Sequence, residues 1–171
     1  MRIRPLERLE EAQIQALSDV LIDCVAGGAS VSFMWPMTRA KAEAFWRKAA
    51  AGVERGERIV LVAEDELGIV GTVQVLLDLP ENQPHRGDVA KMLVHRRARR
   101  RGVGAALLAA AEAAALQVGR TLLVLDTVTG ADAERLYARR GWQRCGVIPD
   151  YALWPDGRYC ATTVFYKHLG A

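Results

Sequence analysis

The stretch of sequence that decides the fold is KMLVHRRARRRGVG, residues 91–104. It is the end of an apolar strand, followed by five arginines and by two glycines, Gly102 and Gly104, at the start of an alanine-rich helix. Glycines there let a ligand approach the backbone closely. The first N–H groups of a helix have no internal partner and carry partial positive charge. The stretch therefore predicts a site for a phosphate or pyrophosphate.

Other interpretations of this stretch stay open at this point. A lone Gly-x-Gly also occurs in ordinary turns, and an arginine run is compatible with a solvated face or a nucleic-acid patch. The pattern is not a Walker A loop, and the dinucleotide fingerprint Gly-x-Gly-x-x-Gly is not completed after Gly104. The flanking residues offer no interleaved aromatic side chains for base stacking. These observations favour one phosphorylated ligand over a nucleic acid.

Working outward from this stretch, the apolar pattern predicts one α/β domain over residues 1–171. The element order is β-α-α-β-β-β-α-β-α-β-β, a mixed central sheet of about six to seven strands flanked by about four helices. The predicted strands are 2–6, 58–63, 69–77, 87–94, 122–126, 142–148 and 161–168, and the predicted helices are 7–25, 39–53, 102–118 and 131–140. A loop over 29–36 and a long excursion over 151–159 complete the prediction.

Composition narrows the class of protein. A chain of 171 residues with 51% hydrophobic residues is typical of a globular domain, and a formal charge of +3 is too small to indicate nucleic-acid binding. Cys24, Cys145 and Cys160 have no metal-ligand spacing, so we expect free thiols and no metal. The N-terminus lacks the apolar core of a signal peptide, and no apolar run is long enough to cross a bilayer. We therefore expect a cytoplasmic protein with no membrane partner.

Two segments together resemble a known family. Arg99-x-x-Gly102-x-Gly104 resembles the acetyl-CoA motif of GNAT N-acetyltransferases, and AERLYARRGW, residues 133–142, resembles that family's A-x-x-L-Y-x-x-x-G-F/W stretch. The predicted element order is similar to the GNAT fold from end to end. A narrower resemblance, to acetyltransferases of the tabtoxin-resistance type, is found at 27–31, 125–127 and 159–170. Those enzymes inactivate an amino-acid toxin by N-acetylation.

The resemblance implies how acetyl-CoA would bind. Backbone groups of Met92, Leu93 and Val94 would contact the pantetheine arm, in a gap where two neighbouring strands splay apart. Backbone N–H groups would hold the pyrophosphate, and these come from Arg99, Arg100, Arg101, Gly102, Val103, Gly104 and Ala105. The guanidinium groups of Arg96, Arg97 and Arg100 are candidates for the adenosine phosphate, although several of the five arginines are expected to face water.

Acetyl transfer to an amine needs a base for the ammonium and a donor for the departing thiolate. Tyr137 matches the family's tyrosine and is the candidate general acid; the alternative is a tyrosine packed on an amphipathic helix. Asp88 and Asp126 are the candidate bases. The alternatives are a solvent-facing strand residue for Asp88 and a turn cap for Asp126.

The acceptor pocket is predicted between the loop 29–35 and the region 151–159. Its candidate residues are Ser32, Phe33, Trp35, Tyr151 and Trp154. Because the excursion and the aromatic loop suggest a covered pocket, we expect a small amine or an amino acid as acceptor. The alternatives are a protein or peptide acceptor, a non-catalytic acetyl-CoA sensor and a nucleic-acid-binding regulator. A homodimer through the last strands or through the loop is neither required nor excluded by the sequence.

Overall fold

A computed structural model of the chain, describing residues 1–170, contains one mixed sheet with helices on both faces. The strands are β1 (Arg2–Pro5), β2 (Arg58–Asp65), β3 (Gly68–Leu76), β4 (Arg86–Val94), β5 (Leu122–Val128), β6 (Gln143–Leu153) and β7 (Tyr159–His168). The helices are α1 (Glu11–Ala26), α2 (Arg39–Glu54), α3 (Val103–Gln117) and α4 (Asp132–Arg139), with a short 3₁₀ turn at Arg96–Ala98. The predicted class, strand number and helix number are confirmed over the described residues.

Neighbouring strands lie in the order β1-β2-β3-β4-β5-β7-β6. Every pair is antiparallel except β4 with β5, which is parallel and covers only residues 86–88 against 122–124. Beyond these three pairs the two strands separate. The backbone of the later half of β4 therefore has no partner on its β5 side, and a gap opens in the middle of the sheet.

Strand β2 shows why the sheet has two cores. Successive side chains of a strand point to opposite faces. Val60 and Val62 accordingly pack in the core formed with α1 and α2, around the fully buried Trp46. Leu61 and Ala63 pack in the core beneath α3. An unbroken apolar strand is thus explained by burial on both faces.

The helix boundaries follow local capping. The hydroxyl of Thr38 accepts a hydrogen bond from the Lys41 N–H at 3.3 Å, as expected for the N-cap of α2. Helix α1 begins at Glu11 and not at residue 7, because Glu10 and Gln13 form a capping box. The spacing of apolar residues alone did not reveal that α1 starts at Glu11.

The predicted excursion over 151–159 is wrong. Strand β6 continues to Leu153 and β7 begins at Tyr159, so the connection is a tight turn in which the Trp154 N–H donates to Arg158 O at 2.8 Å. Strand β6 also runs through Pro149, which cannot donate a hydrogen bond to a neighbouring strand. It is tolerated because β6 is an edge strand, irregular between Ile148 and Ala152.

Candidate active site

The gap between β4 and β5 opens into a cavity of about 560 Å³. On its β4 side the strand carries a bulge, because the register passes from Thr72–Leu93 to Gln74–Ala90. The bulged segment contains Lys91, whose φ of 52° lies in the left-handed region. A bulge bends a strand and redirects its side chains. The cavity therefore lies where the sheet is both unpaired and locally distorted.

Five parts of the fold line this cavity. They are the loop after α1, the bulged part of β4, the end of β5 with the turn after it, helix α4, and the two strands of the last hairpin. The lining residues are Ala29–Met34, Val89–Met92, Asp126–Val128, Ala131, Ala133, Tyr137, Tyr151–Trp154 and Cys160–Thr162. Four of the five acceptor-pocket candidates, Ser32, Phe33, Tyr151 and Trp154, are among them.

Tyr137 projects from α4 into the cavity. Its ring packs near Trp142 and Phe165, with centroid distances of 5.9 and 6.0 Å, and the residue is 4% exposed. Burial, and then the nearby charge of Asp126, raise the pKa of its hydroxyl well above the usual range. The hydroxyl has no hydrogen-bond partner among residues 1–170. It stays protonated at neutral pH and is available as a donor.

Asp126 lines the same cavity from β5. Strand β5 continues two residues past Asp126 to Val128. The carboxylate therefore belongs to a strand residue that lines the cavity, and Asp126 is not the turn cap given above as its alternative role. Its Oδ2 accepts a hydrogen bond from the hydroxyl of Thr162 at 2.7 Å. That hydroxyl also lies 2.9 Å from Thr127 O and has one proton, so it can donate to only one of the two acceptors.

The start of α3 lies beside the end of β4 and helix α4, with Gly104 next to Val94 and Leu136. Gly102 is the N-cap with a left-handed φ of 77°, and Arg100, two residues earlier, is also left-handed at 59°. The first helical hydrogen bond runs from Ala106 N–H to Gly102 O at 3.0 Å, so the N–H groups of the first helical turn have no helical acceptor. A Cβ on Gly104 would lie 3.3 Å from Leu136 Cδ2. This surface fits an anion bound against bare backbone.

The arginines divide into two groups. Arg96 and Arg97 are bound to Asp23 and Asp65 through hydrogen bonds of 2.8 and 2.7 Å, which hold the loop against the rest of the fold. Arg99 donates to Val94 O at 3.1 Å. By contrast, the Arg100 side chain is 89% exposed, with only a 3.8 Å contact to Asp132. Of the three candidates for the adenosine phosphate, only Arg100 has no hydrogen bond to a carboxylate among residues 1–170.

Two predicted site residues lie away from the cavity. Asp88 is in the paired part of β4, where its carboxylate accepts a hydrogen bond from Arg86, and it does not line the cavity. Trp35 is 57% exposed and also does not line it. The proposed roles of both residues stay predictions that this geometry does not support.

The predicted acceptor side of the cavity is bounded by two segments that are distant in sequence. The hydroxyl of Ser30 donates to Leu153 O at 2.7 Å, and Trp35 N–H donates to Pro155 O at 3.1 Å. These bonds join the loop 29–36 to the turn between β6 and β7. The predicted cover of the pocket is therefore provided by the loop and by the short turn between β6 and β7, and not by a long excursion.

Sequence reasoning missed Lys91 as a cavity residue. Its side chain is partly buried, its Nζ lies 2.9 Å from Ser32 Oγ, and burial lowers its pKa. A lysine within the otherwise apolar run 89–94 was the available signal, because an ammonium is rarely placed there without a partner.

Two kinds of feature are absent from residues 1–170. No group of three or more His, Cys, Asp or Glu side chains is placed to hold a metal ion. None of the helices in this range has the length and apolar character needed to cross a membrane.

Known proteins resemble this chain in sequence and in structure. The model of a family described as an acetyltransferase (GNAT) domain matches residues 56–144, more than half of the chain. A ribosomal-protein-alanine N-acetyltransferase from Brucella melitensis has a TM-score of 0.80 and 25% identity, covering 99% of this chain and 100% of that one.

Two other similar structures contain acetyl-CoA. A GNAT superfamily phosphinothricin acetyltransferase from Sinorhizobium meliloti, in complex with AcCoA, has a TM-score of 0.79 and 18% identity over 99% of this chain and 88% of that one. A putative acetyltransferase from Salmonella typhimurium, with its cofactor acetyl-CoA, has a TM-score of 0.79 and 18% identity over 99% and 94%. At these identities the likeness concerns the fold.

Proposed function

Because this chain belongs to the GNAT acetyltransferase family, we propose that it transfers an acetyl group from acetyl-CoA to the amine of a small molecule. One observation carries the proposal: Tyr137 and Asp126, a hydrogen-bond donor and a carboxylate, line one cavity that opens where β4 and β5 separate. The AcCoA complexes of similar structures support the choice of cosubstrate. A narrower role, resistance to an amino-acid-like toxin, is part of this proposal and is supported by the phosphinothricin acetyltransferases among those structures.

In this proposal the chain holds acetyl-CoA mainly through its backbone. The pantetheine arm is bound by backbone groups in the part of β4 that has no β5 partner, at Met92, Leu93 and Val94. The free N–H groups at the start of α3 bind the pyrophosphate beside Gly102, where a Cβ would meet no atom within 4 Å. Arg100, which is exposed and has only a 3.8 Å contact with Asp132, neutralises a phosphate charge from the solvent side.

Asp126 acts on the acceptor. An ammonium has no lone pair for attack, and a typical amine pKa is about 10, so the carboxylate takes a proton from it directly or through a water molecule. The hydrogen bond from Thr162 fixes the orientation of the carboxylate. The amine then attacks the thioester carbon from within about 3–3.5 Å. A backbone N–H of Leu93 or Val94 stabilises the developing oxyanion.

Tyr137 acts on the leaving group. A thiol has a pKa of about 8.5, far below that of this buried phenol, so full proton transfer from Tyr137 to the thiolate is unfavourable. The hydroxyl instead stabilises the departing thiolate by donating a hydrogen bond at the moment when negative charge reaches sulfur. The thiolate then takes, through water, the proton that the acylated nitrogen loses.

We expect Asp126→Asn to lower kcat about 100-fold or more, since general base catalysis is worth about 10²–10⁴. Asp88→Asn is the matched comparison, because it removes a strand carboxylate of the same kind that is bound to Arg86 outside the cavity. Thiol release at saturating acetyl-CoA measures both variants. A large loss in Asp88→Asn with a small loss in Asp126→Asn would return the role of base to Asp88.

A peptide acceptor is the second candidate, and the likeness to a ribosomal-protein-alanine N-acetyltransferase favours it. The bonds that join the loop 29–36 to the last hairpin favour a small acceptor, because they close the side at which a peptide would lie. Acetyl-CoA-dependent thiol release over a panel of amino acids, amines, β-lactam amino acids and N-terminal peptides decides between them. Turnover of peptides alone would reject the small-molecule acceptor.

A further inference from the structure

Lys91 brings an unpaired positive charge into the acceptor half of the cavity. Among residues 1–170 it forms no ion pair, and its one hydrogen bond is the 2.9 Å contact with the hydroxyl of Ser32. Its Nζ lies 5.8 Å from the ring centroids of both Phe33 and Phe45, which provide weak cation–π contacts. An ammonium has three donors. Two of them therefore have no acceptor in the described protein.

Arg58 is a second cation close enough to Lys91 to affect it electrostatically. Arg58 is on β2 and also forms no ion pair within residues 1–170. Its guanidinium donates to Gln74 Oε1 at 3.0 Å, while Arg58 Nε and Gln74 Nε2 are buried without a partner. Burial lowers the pKa of Lys91, the charge of Asp126 opposes this effect, and the positive charge of Arg58 adds to it. Two neighbouring cations, neither of which forms an ion pair with a carboxylate, favour an anion at this place.

The opposite charge in the cavity is at Asp126. It lines the same cavity from β5 and does not form an ion pair with Lys91, so the two charges face a shared space at a separation too long for direct contact. A ligand with an amine at one end and an anionic group at the other would satisfy both. A ligand with an amine alone would leave Lys91 buried and unpaired, which is unfavourable.

We propose that Lys91, oriented by Ser32, binds a carboxylate of the acceptor, so that the acceptor is an amino acid whose amine faces Asp126. This inference rests on the proposed function and names the substrate class of that site. Lys91 is a specificity-determining residue in this account. Its placement follows from the β4 bulge, whose left-handed residue directs this side chain into the cavity.

Binding of the reaction product tests the proposal without turnover. In the presence of CoA, calorimetry compares each N-acetyl derivative of the common amino acids with the matching N-acetyl amino acid amide, which lacks only the carboxylate charge. We expect at least one N-acetyl amino acid to bind about 10- to 100-fold more tightly than its amide, as for a charge-assisted hydrogen bond. Absence of any such preference would overturn the proposal.

Variants assign the preference to Lys91. Lys91→Met keeps the length of the side chain and removes the charge, so the acid-to-amide ratio should approach one, whereas Lys91→Arg should retain part of it. Lys41→Met is the matched control, because Lys41 also lies over the Phe33 ring, at 6.0 Å, but does not line the cavity. A ratio unchanged in Lys91→Met, or lost equally in Lys41→Met, would contradict the assignment.

Calorimetry with acetyl-CoA alone separates this inference from the proposed function. If acetyl-CoA does not bind, the proposed function fails. If acetyl-CoA binds and amines are turned over without any preference for a carboxylate, only the role of Lys91 fails. A purely structural role for Lys91 would change the thermal stability of Lys91→Met and leave the acid-to-amide ratio unaltered.

Discussion

Gly102→Val should abolish measurable acetyl-CoA binding, with affinity falling by at least about 100-fold, because the site depends on bare backbone at the start of α3. Valine at this N-cap adds a branched side chain beside the free N–H groups of the first turn. It also forces a β-branched residue into a left-handed conformation, since Gly102 has a φ of 77°. Calorimetry with acetyl-CoA on the folded variant measures the loss.

The strain in Gly102→Val needs its own control, and the same helix provides one. Gly119, just beyond the other end of α3, has a φ of 78°, and a Cβ there would meet no atom within 4 Å. Gly119→Val should therefore be destabilised to a similar extent, about 1–3 kcal/mol for a strained residue, and still bind acetyl-CoA normally. Retained binding in Gly102→Val would show that the pyrophosphate lies elsewhere.

Tyr137→Phe should lower kcat by about 100-fold or more, within the range for removal of a positioned donor, and leave the affinity for acetyl-CoA within about twofold. The substitution removes only the hydroxyl, which has no hydrogen-bond partner among the described residues, so the packing against Trp142 and Phe165 is preserved. Pre-steady-state thiol release, together with acetyl-CoA titration, separates the two effects.

Tyr166→Phe is the matched control for Tyr137→Phe. Its hydroxyl donates to Gln143 Oε1 at 2.6 Å outside the cavity, so its loss affects stability and not turnover. Unchanged turnover in Tyr137→Phe would remove this residue from the mechanism. Equal losses in both variants would indicate a general effect of losing a tyrosine hydroxyl.

Much of the fold could be predicted because it depends on local pattern. The apolar run 58–63 and the glycine-bounded helix that begins at 103 are specified by residues close together in sequence, and the structural likeness confirms the GNAT fold expected from them. The errors in the predicted elements occurred where contacts between residues distant in sequence determine the structure. The strand β6 runs through Pro149 because it lies at a sheet edge, a position that only the strand order determines.

The site was predictable in part for the same reason. Gly102 belongs to a local motif, and Tyr137 and Asp126 prove to share a cavity. The partners of Arg96 and Arg97, in contrast, are Asp23 and Asp65, which lie more than thirty residues earlier in the sequence. These ion pairs depend on tertiary geometry. The same holds for the pairing of Asp88 with Arg86 and for the direction that the bulge gives to the Lys91 side chain.

The bonds between the loop 29–36 and the last hairpin have a consequence for redesign. The loop and the bonded end of the hairpin, at 153–155, lie outside residues 56–144, the range of the family model. Inside that range lie Gly102, Gly104, Asp126 and Tyr137. In the proposed function, these two peripheral segments would therefore bound the acceptor around Asp126, Tyr137 and Lys91, which all lie inside that range. Because Ser30 and Trp35 depend on carbonyl groups of Leu153 and Pro155, a graft of one segment alone would leave donors unmatched. The two segments form a single transplantable unit.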